Sequence, residues 1–188
     1  MAHVKVVRRS MRPEEWTDLR FVWLQRGIYE EKFEITDLEI RDARQISEDQ
    51  YEYYSDEYRP LKKDDMYFTP DGTAFIRGHV QIPAHMKGKN IYFTLHTAAE
   101  MIVKINGKYV GGVDPNRERI LLNPYIDSDD LTIEIEAYNR SKPDDERNPA
   151  SLAHRGCRQI FEGAYLSTIR DNVQSLVYDY ILFMYIAH

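Results

Sequence analysis

Residues 98–122 read AAEMIVKINGKYVGGVDPNRERILL, with the dipeptide Asn106-Gly107 near their centre. Both residues tolerate the positive φ angles of a two-residue type I′ turn, so this pair, set between apolar alternations, predicts a β-hairpin. Its arms are Met101 to Ile105 and Lys108 to Val110. Successive strand side chains point to opposite faces, which puts Val103 and Ile105 on one side of the pleat and Lys104 on the other. One side therefore packs, and the other faces water or another domain. Gly111-Gly112 lacks the strand-loop-helix setting of a phosphate-binding loop and reads as a bend after a strand. Asp114-Pro115-Asn116-Arg117 follows. Pro115 pre-sets φ while aspartate and asparagine close side-chain-to-backbone turns, so the segment reads as a rigid β-turn. The same residues admit a second reading. The Asp114 carboxylate, Asn116 amide and Arg117 guanidinium suit sugar hydroxyls or the polar rim of a neighbouring domain.

Outward from the hairpin, short strand candidates recur at regular intervals: Thr73 to Ile82, Ile91 to Leu95, Ile120 to Leu122 and Leu131 to Tyr138. Pro83 ends the first of these because it has no amide hydrogen to give to a ladder, and Lys87-Gly88-Lys89-Asn90 turns the chain. This rhythm predicts a mainly β fold, an antiparallel β-sandwich with flanking N- and C-terminal helices. Upstream, Phe33 and Ile35 alternate with charged neighbours, and Leu38 to Ile40 forms a second strand-like piece. Ser47 to Asp65 is acidic and rich in tyrosine, and reads equally as an edge strand or an ordered loop. Tyr109 and Tyr138, at strand positions, read as packing residues with one wet end or as stacking platforms for sugar rings.

Helical periodicity marks the two ends. Near Ser10 an amphipathic helix begins, with Pro13, Glu14 and Glu15 in its first turn and Trp16, Leu19, Val22 and Trp23 repeating before Gly27. After a hydrophilic loop, Ser141 to Pro149, and a strand-like piece from Gln159 to Leu166, a second helix carries Ile169, Val173, Leu176, Val177, Tyr180 and Met184. Ile181 to Ile186 is almost continuously apolar, too short to span a bilayer and too hydrophobic to be left in water. Either it docks on the domain's own surface or a further domain covers it. The expected division is a helical segment 1–27, a sandwich 28–168 and a connecting helix 169–188.

The composition bounds the function. The 188 residues are 43% hydrophobic, 30% charged and 12% aromatic, as in a globular chain. With 25 basic against 31 acidic residues the net charge is -6, which argues against nucleic acid as a partner. The lone Cys157 forms no internal disulfide, and no leader or membrane span is evident, so the expected location is cytoplasmic, away from membrane. His3, His79, His85, His96, His154 and His188 are scattered without metal-ligand spacing, so no metal or cofactor is expected in this chain. Cys157 beside Arg155 and Arg158 reads as inert packing rather than a reactive thiol.

The runs TAFIRGHVQIP (73–83), IYFTLHTAAEMIVKINGKYVGGVDPNRERILL (91–122) and LTIEIEAYNRS (131–141) together resemble the N-terminal β-sandwich domain of glycoside hydrolase family 38 α-mannosidases of the bacterial and vacuolar type. The matching pieces, in the same order, are Ile82-Pro83, Asn106-Gly107, Gly112-Val113-Asp114-Pro115-Asn116 and Ile135-Glu136-Ala137-Tyr138. The later NVQSLVYDY (172–180) is similar to the connector toward that family's catalytic domain. The resemblance implies a jelly-roll of the galactose-binding-like kind and a non-catalytic role. Hydrolysis of terminal α-mannosidic bonds, with retention and with zinc, would belong to a catalytic domain of the same polypeptide beyond these residues. The partner implied is that domain; homo-oligomer contacts and a mannose-containing glycan are further partners it admits. No catalytic residue is expected here, and Asp114, Asn116, Arg117 and Tyr138 are the candidates for contact with sugar or domain. Two alternatives stay open: a free-standing carbohydrate-binding module, and an accessory sandwich of another glycosidase family.

Overall fold

In the computed structural model the described residues are 21, 23–65, 72–96, 99–114, 117–138 and 161–187. Asn106 (φ 50°) and Gly107 (φ 73°) form the hairpin turn, joining β7 (Glu100–Ile105) to β8 (Lys108–Val113). Asn106 also ties the turn to the next strand: its side-chain oxygen accepts from the Thr132 amide at 2.8 Å, and its own amide donates to the Thr132 carbonyl at 3.0 Å. β8 runs further than Val110, because the bend foreseen at Gly111-Gly112 is a bulge. Val103 lies opposite Gly111 and Lys104 opposite Tyr109, leaving Val110 as the extra residue.

The remaining strands are β1 (Tyr29–Ile35), β2 (Asp37–Ser47), β3 (Gln50–Tyr53), β4 (Arg59–Pro60), β5 (Thr73–Gln81), β6 (Tyr92–Leu95), β9 (Arg119–Leu121), β10 (Asp130–Tyr138) and β11 (Ala164–Ile169). They form a seven-stranded sheet, β3-β2-β5-β10-β7-β8 with β4 also on β2, and a four-stranded sheet, β1-β11-β6-β9. β10 shows why these residues make strands: Leu131, Ile133, Ile135 and Ala137 are buried, while Thr132, Glu134, Glu136 and Tyr138 alternate outward. Across the larger sheet the inner rows match, with Ile40 opposite Ile76, Ile76 opposite Ile135 and Ile135 opposite Val103. These four belong to the same core as Phe93, Leu95, Ala164 and Leu166 of the smaller sheet. The fold is thus an antiparallel β-sandwich, as expected. On the outer side of the smaller sheet, Thr94 and Ser167 satisfy each other through a buried hydroxyl pair at 2.6 Å.

Several local expectations are resolved or corrected. The tyrosine-rich stretch is edge structure, with β3 and β4 both pairing with β2. β2 extends from Asp37 to Ser47, well past Ile40. The strand placed at Gln159 to Leu166 instead runs Ala164–Ile169, following Gly163 at φ 99°. Ile169 is therefore a strand residue. Its spacing from Leu166 and Val173 satisfies a helical period equally well, which is why the pattern alone misplaced it. Most of the first helix, the loop Ser141 to Pro149 and Cys157 lie outside the described residues.

By contacts the chain divides into residues 1–31 with 169–188, and residues 32–168. In the first unit residues 23–27 are helical, and Arg170 holds the following backbone, its guanidinium donating to the Gly27 carbonyl at 2.9 Å and the Tyr29 carbonyl at 2.6 Å. Phe21 stacks on Tyr180 with centroids 5.2 Å apart. Helix α1 (Asp171–Ala187) buries Val177 and half-buries Val173, Tyr180 and Ile181. Leu176, expected on that stripe, is 51% exposed, as are Leu182 (57%), Phe183 (69%) and Ile186 (72%). At about 100° per residue these four occupy one arc of roughly 120° centred away from Val177. Trp23, expected on the apolar side of the first helix, is exposed as well. No helix among the described residues is long and apolar enough to cross a membrane.

Candidate binding face on the larger sheet

The outward face of the seven-stranded sheet is built in rows by register. One row sets Arg41 opposite Phe75, Phe75 opposite Glu136 and Glu136 opposite Ile102. The next sets Glu39, Arg77, Glu134, Lys104 and Tyr109 in sequence across five strands. Because β3 alternates, Tyr51 and Tyr53 fall on the same side and fold over Phe75, at centroid distances of 4.9 Å and 5.6 Å. Arg41 lies 3.6 Å from the Tyr53 ring centre and 4.8 Å from that of Tyr58. Arg77 lies 4.0 Å from Tyr58 while pairing with Glu39 at 2.7 Å. Guanidinium planes layered on aromatic rings hold the charges in place with less solvation than water would give, a geometry suited to planar recognition. Among the described residues the buried Arg41 Nε has no hydrogen-bond partner.

The Tyr51 hydroxyl donates to the Glu136 carboxylate at 2.5 Å. That hydrogen bond, reinforced by burial and the negative charge beside it, pushes the phenol up to about 12. The folded chain therefore holds this proton more tightly than the unfolded chain does. The associated stabilisation is intact below the ordinary value of 10.0 and is lost as pH rises toward 12. In a near-ultraviolet titration Tyr51 is expected to ionise after the exposed tyrosines, and Tyr51→Phe to remove that late component. A titration unchanged by the substitution contradicts the assignment.

Of the four residues singled out by sequence, Asn116 lies outside the described residues. Asp114 and Arg117 are bridged to each other. The Arg117 amide donates to the Asp114 carbonyl and to Oδ1, each at 3.0 Å, while its guanidinium grips Oδ2 at 2.9–3.0 Å. Arg117 thus engages both carboxylate oxygens of Asp114. Asp114→Ala is expected to cost about 1 kcal/mol, because it removes a side-chain cap and an ion pair whose arginine is largely in water. A shift in urea midpoint at unchanged slope measures it. Tyr138 stands elsewhere on the face, opposite Glu100 of β7. The next residue of β7, Met101, lies opposite Val113 of β8. Two strand spacings, about 10 Å, therefore separate the Tyr138 strand from the Asp114 turn.

The face keeps aromatic and apolar groups in water: Tyr109 (67% exposed), Ile102 (52%), Tyr53 (39%) and Tyr138 (38%). Rings set among carboxylates, guanidinium groups and an ammonium can stack on a sugar or bury against a partner domain while hydrogen-bonding its polar groups. Arg41, Tyr51, Tyr58, Phe75 and Arg77 were not foreseen as members of this face. The alternation of Tyr51 and Tyr53 was visible, but their contact with Phe75 depends on pairing between distant strands. Among the described residues no group of three or more His, Cys, Asp or Glu side chains could hold a metal ion.

No protein-family model matches the chain, and no curated protein does. Among solved structures, a β-D-glucuronidase of Dictyoglomus thermophilum aligns with 60% of this chain and 21% of its own, at 16% identity and a TM-score of 0.38. A calcium-binding mutant of Bacteroides uniformis β-glucuronidase 2 aligns over 73% of this chain and 18% of its own, at 16% identity and a TM-score of 0.41. The chain spans about a fifth of the length of these proteins. Likenesses this slight carry no weight for function.

Proposed function

We propose that this chain is a non-catalytic β-sandwich of a glycoside hydrolase, an α-mannosidase by the ordered motifs from Ile82-Pro83 to Tyr138, and that it packs on and supports the catalytic domain of that enzyme in the cytoplasm. The observation that carries the docking role is the apolar arc of α1, where Leu176, Leu182, Phe183 and Ile186 are each more than half exposed. Burial is worth about 1.5–3 kcal/mol for each side chain of this size, so a covering partner gains several kcal/mol from four of them. Zinc belongs, in this reading, to the catalytic domain. The complete product of the gene is expected to hydrolyse an aryl α-mannoside, and residues 1–188 alone are not. Turnover by residues 1–188 at enzyme-like rates refutes the non-catalytic role. Hydrolysis of a different glycoside by the complete product replaces the mannosidase reading with an accessory sandwich of another family.

The exposed aromatics of the larger sheet favour a second reading, a sugar-binding module. Calorimetric titration with mannose oligosaccharides separates the two. Saturable binding that disappears in Tyr109→Ala and Tyr138→Ala supports the module, and absence of heat supports the docking domain.

A further inference from the structure

The smaller sheet sets four polar side chains in a line that follows its strand order. Lys32 comes from β1, Tyr165 from β11, His96 directly follows β6 and Glu118 directly precedes β9. The Leu95 amide bonded to the Glu118 carbonyl at 2.9 Å carries the β6-β9 ladder to this line, so His96 and Glu118 are fixed on neighbouring strands. The Glu118 carboxylate accepts from His96 Nδ1 at 2.7 Å. With Nδ1 as donor, the neutral ring presents its lone pair at Nε2, and the Lys32 amine lies 3.1 Å from that atom. Lys32 also sits 5.3 Å from the centre of the Tyr165 ring, and the His96 and Tyr165 rings are 6.3 Å apart. Nucleophile, base and a carboxylate orienting the base therefore stand in hydrogen-bond sequence, the arrangement by which proteins activate a weak nucleophile.

We propose that Lys32 is a primed amine nucleophile that condenses with small aldehydes, the open-chain form of a reducing sugar among them, with His96 as its base and Glu118 as the positioning residue. One ammonium proton passes from Lys32 to His96 Nε2, and the Glu118 carboxylate stabilises the imidazolium. The freed lone pair attacks the aldehyde carbon. A C–N bond forms, the carbonyl π pair moves to oxygen, and His96 returns the proton there. A second nitrogen proton follows the same path onto the new hydroxyl, which leaves as water. The third proton stays on the nitrogen of the protonated imine, so atoms and charge balance.

Two further observations agree with this role. Lys32 is exposed as a residue and its ammonium group is only partly desolvated, so a small aldehyde can reach it. Burial of its ammonium end holds Lys32 below the ordinary lysine value; Lys63 acts in the same direction and Glu118 opposes it. Among the described residues, Lys63, held above the ordinary lysine value chiefly by the Tyr165 hydroxyl, and Arg119, 3.8 Å from the other oxygen of Glu118, are further cations beside the line.

The test is reductive trapping. The 188-residue chain is treated at neutral pH with glycolaldehyde and cyanoborohydride, and the labelled lysines are mapped by peptide mass. Lys32 is expected to be labelled at least about tenfold faster than Lys62 and Lys108, a floor well under the ~10²–10⁴-fold that a positioned base supplies in catalysis. His96→Gln is expected to slow the labelling of Lys32 several-fold without changing the β-sheet circular dichroism, leaving only the advantage that burial gives the amine. Lys32→Arg removes the fast site. Labelling of Lys32 no faster than Lys62 in the wild-type chain overturns the proposal whether or not the variants fold. A fast Lys32 unaffected by His96→Gln overturns the role of the relay.

Discussion

Phe93→Ala destabilises the sandwich by about 3–5 kcal/mol, the loss expected when a fully enclosed aromatic side chain is cut back and its cavity cannot collapse. Phe93 is fully buried near the middle of the smaller sheet, opposite Leu166 on one side and Ile120 on the other. Its ring belongs to the core that includes Ile76, Ile135 and Val103 of the facing sheet. A domain with ordinary stability of about 5–15 kcal/mol loses about a fifth of it or more. Phe93→Leu, which keeps most of the volume, is expected to cost no more than about 1.5 kcal/mol. Equilibrium urea unfolding of the three chains checks the order, and a Phe93→Ala chain as stable as wild type refutes the placement of this residue in a shared core.

The second large effect comes from adding a single methyl group. A Cβ built on Gly78 lies 2.4 Å from Leu38 Cδ2 and 2.5 Å from the Asp37 carbonyl oxygen. The leucine tip can rotate away, but the carbonyl is backbone, and Gly78 pairs directly with Leu38 where β2 joins β5. Gly78→Ala must therefore pry two central strands apart, at a cost of about 2–3 kcal/mol. Gly107→Ala is an instructive contrast. There a Cβ meets nothing within 4 Å, and the cost is only that of holding an alanine at φ +73°, about 1 kcal/mol. Thermal melts of both variants distinguish crowding from backbone strain, and equal losses contradict the distinction.

The comparison of sequence with structure follows the range of the interactions. The Asn106-Gly107 hairpin, the strand ending at Pro83 and the alternation of β10 are local consequences of turn geometry and pleat, and all three are legible in the chain. What escaped was assembled by pairing between distant segments. Arg41 and Phe75 become neighbours through the β2-β5 register, and Tyr51 on β3 reaches Glu136 on β10 across both of those strands. Lys32, Tyr165, His96 and Glu118 carry no mutual spacing signal, since only the order of the smaller sheet lines them up. The boundary error at Ile169 has another origin, because an apolar residue there fits both the strand behind it and the helix ahead.

The most direct test of the docking role is the association state of the 188-residue chain by sedimentation velocity, with and without Phe183→Glu and Ile186→Glu together. An uncovered apolar arc on α1 predicts self-association that grows with protein concentration, and a monomeric double variant with unchanged circular dichroism. A wild-type chain that stays monomeric across that range, and behaves no differently when the two glutamates are introduced, contradicts the claim that this surface is built to be covered.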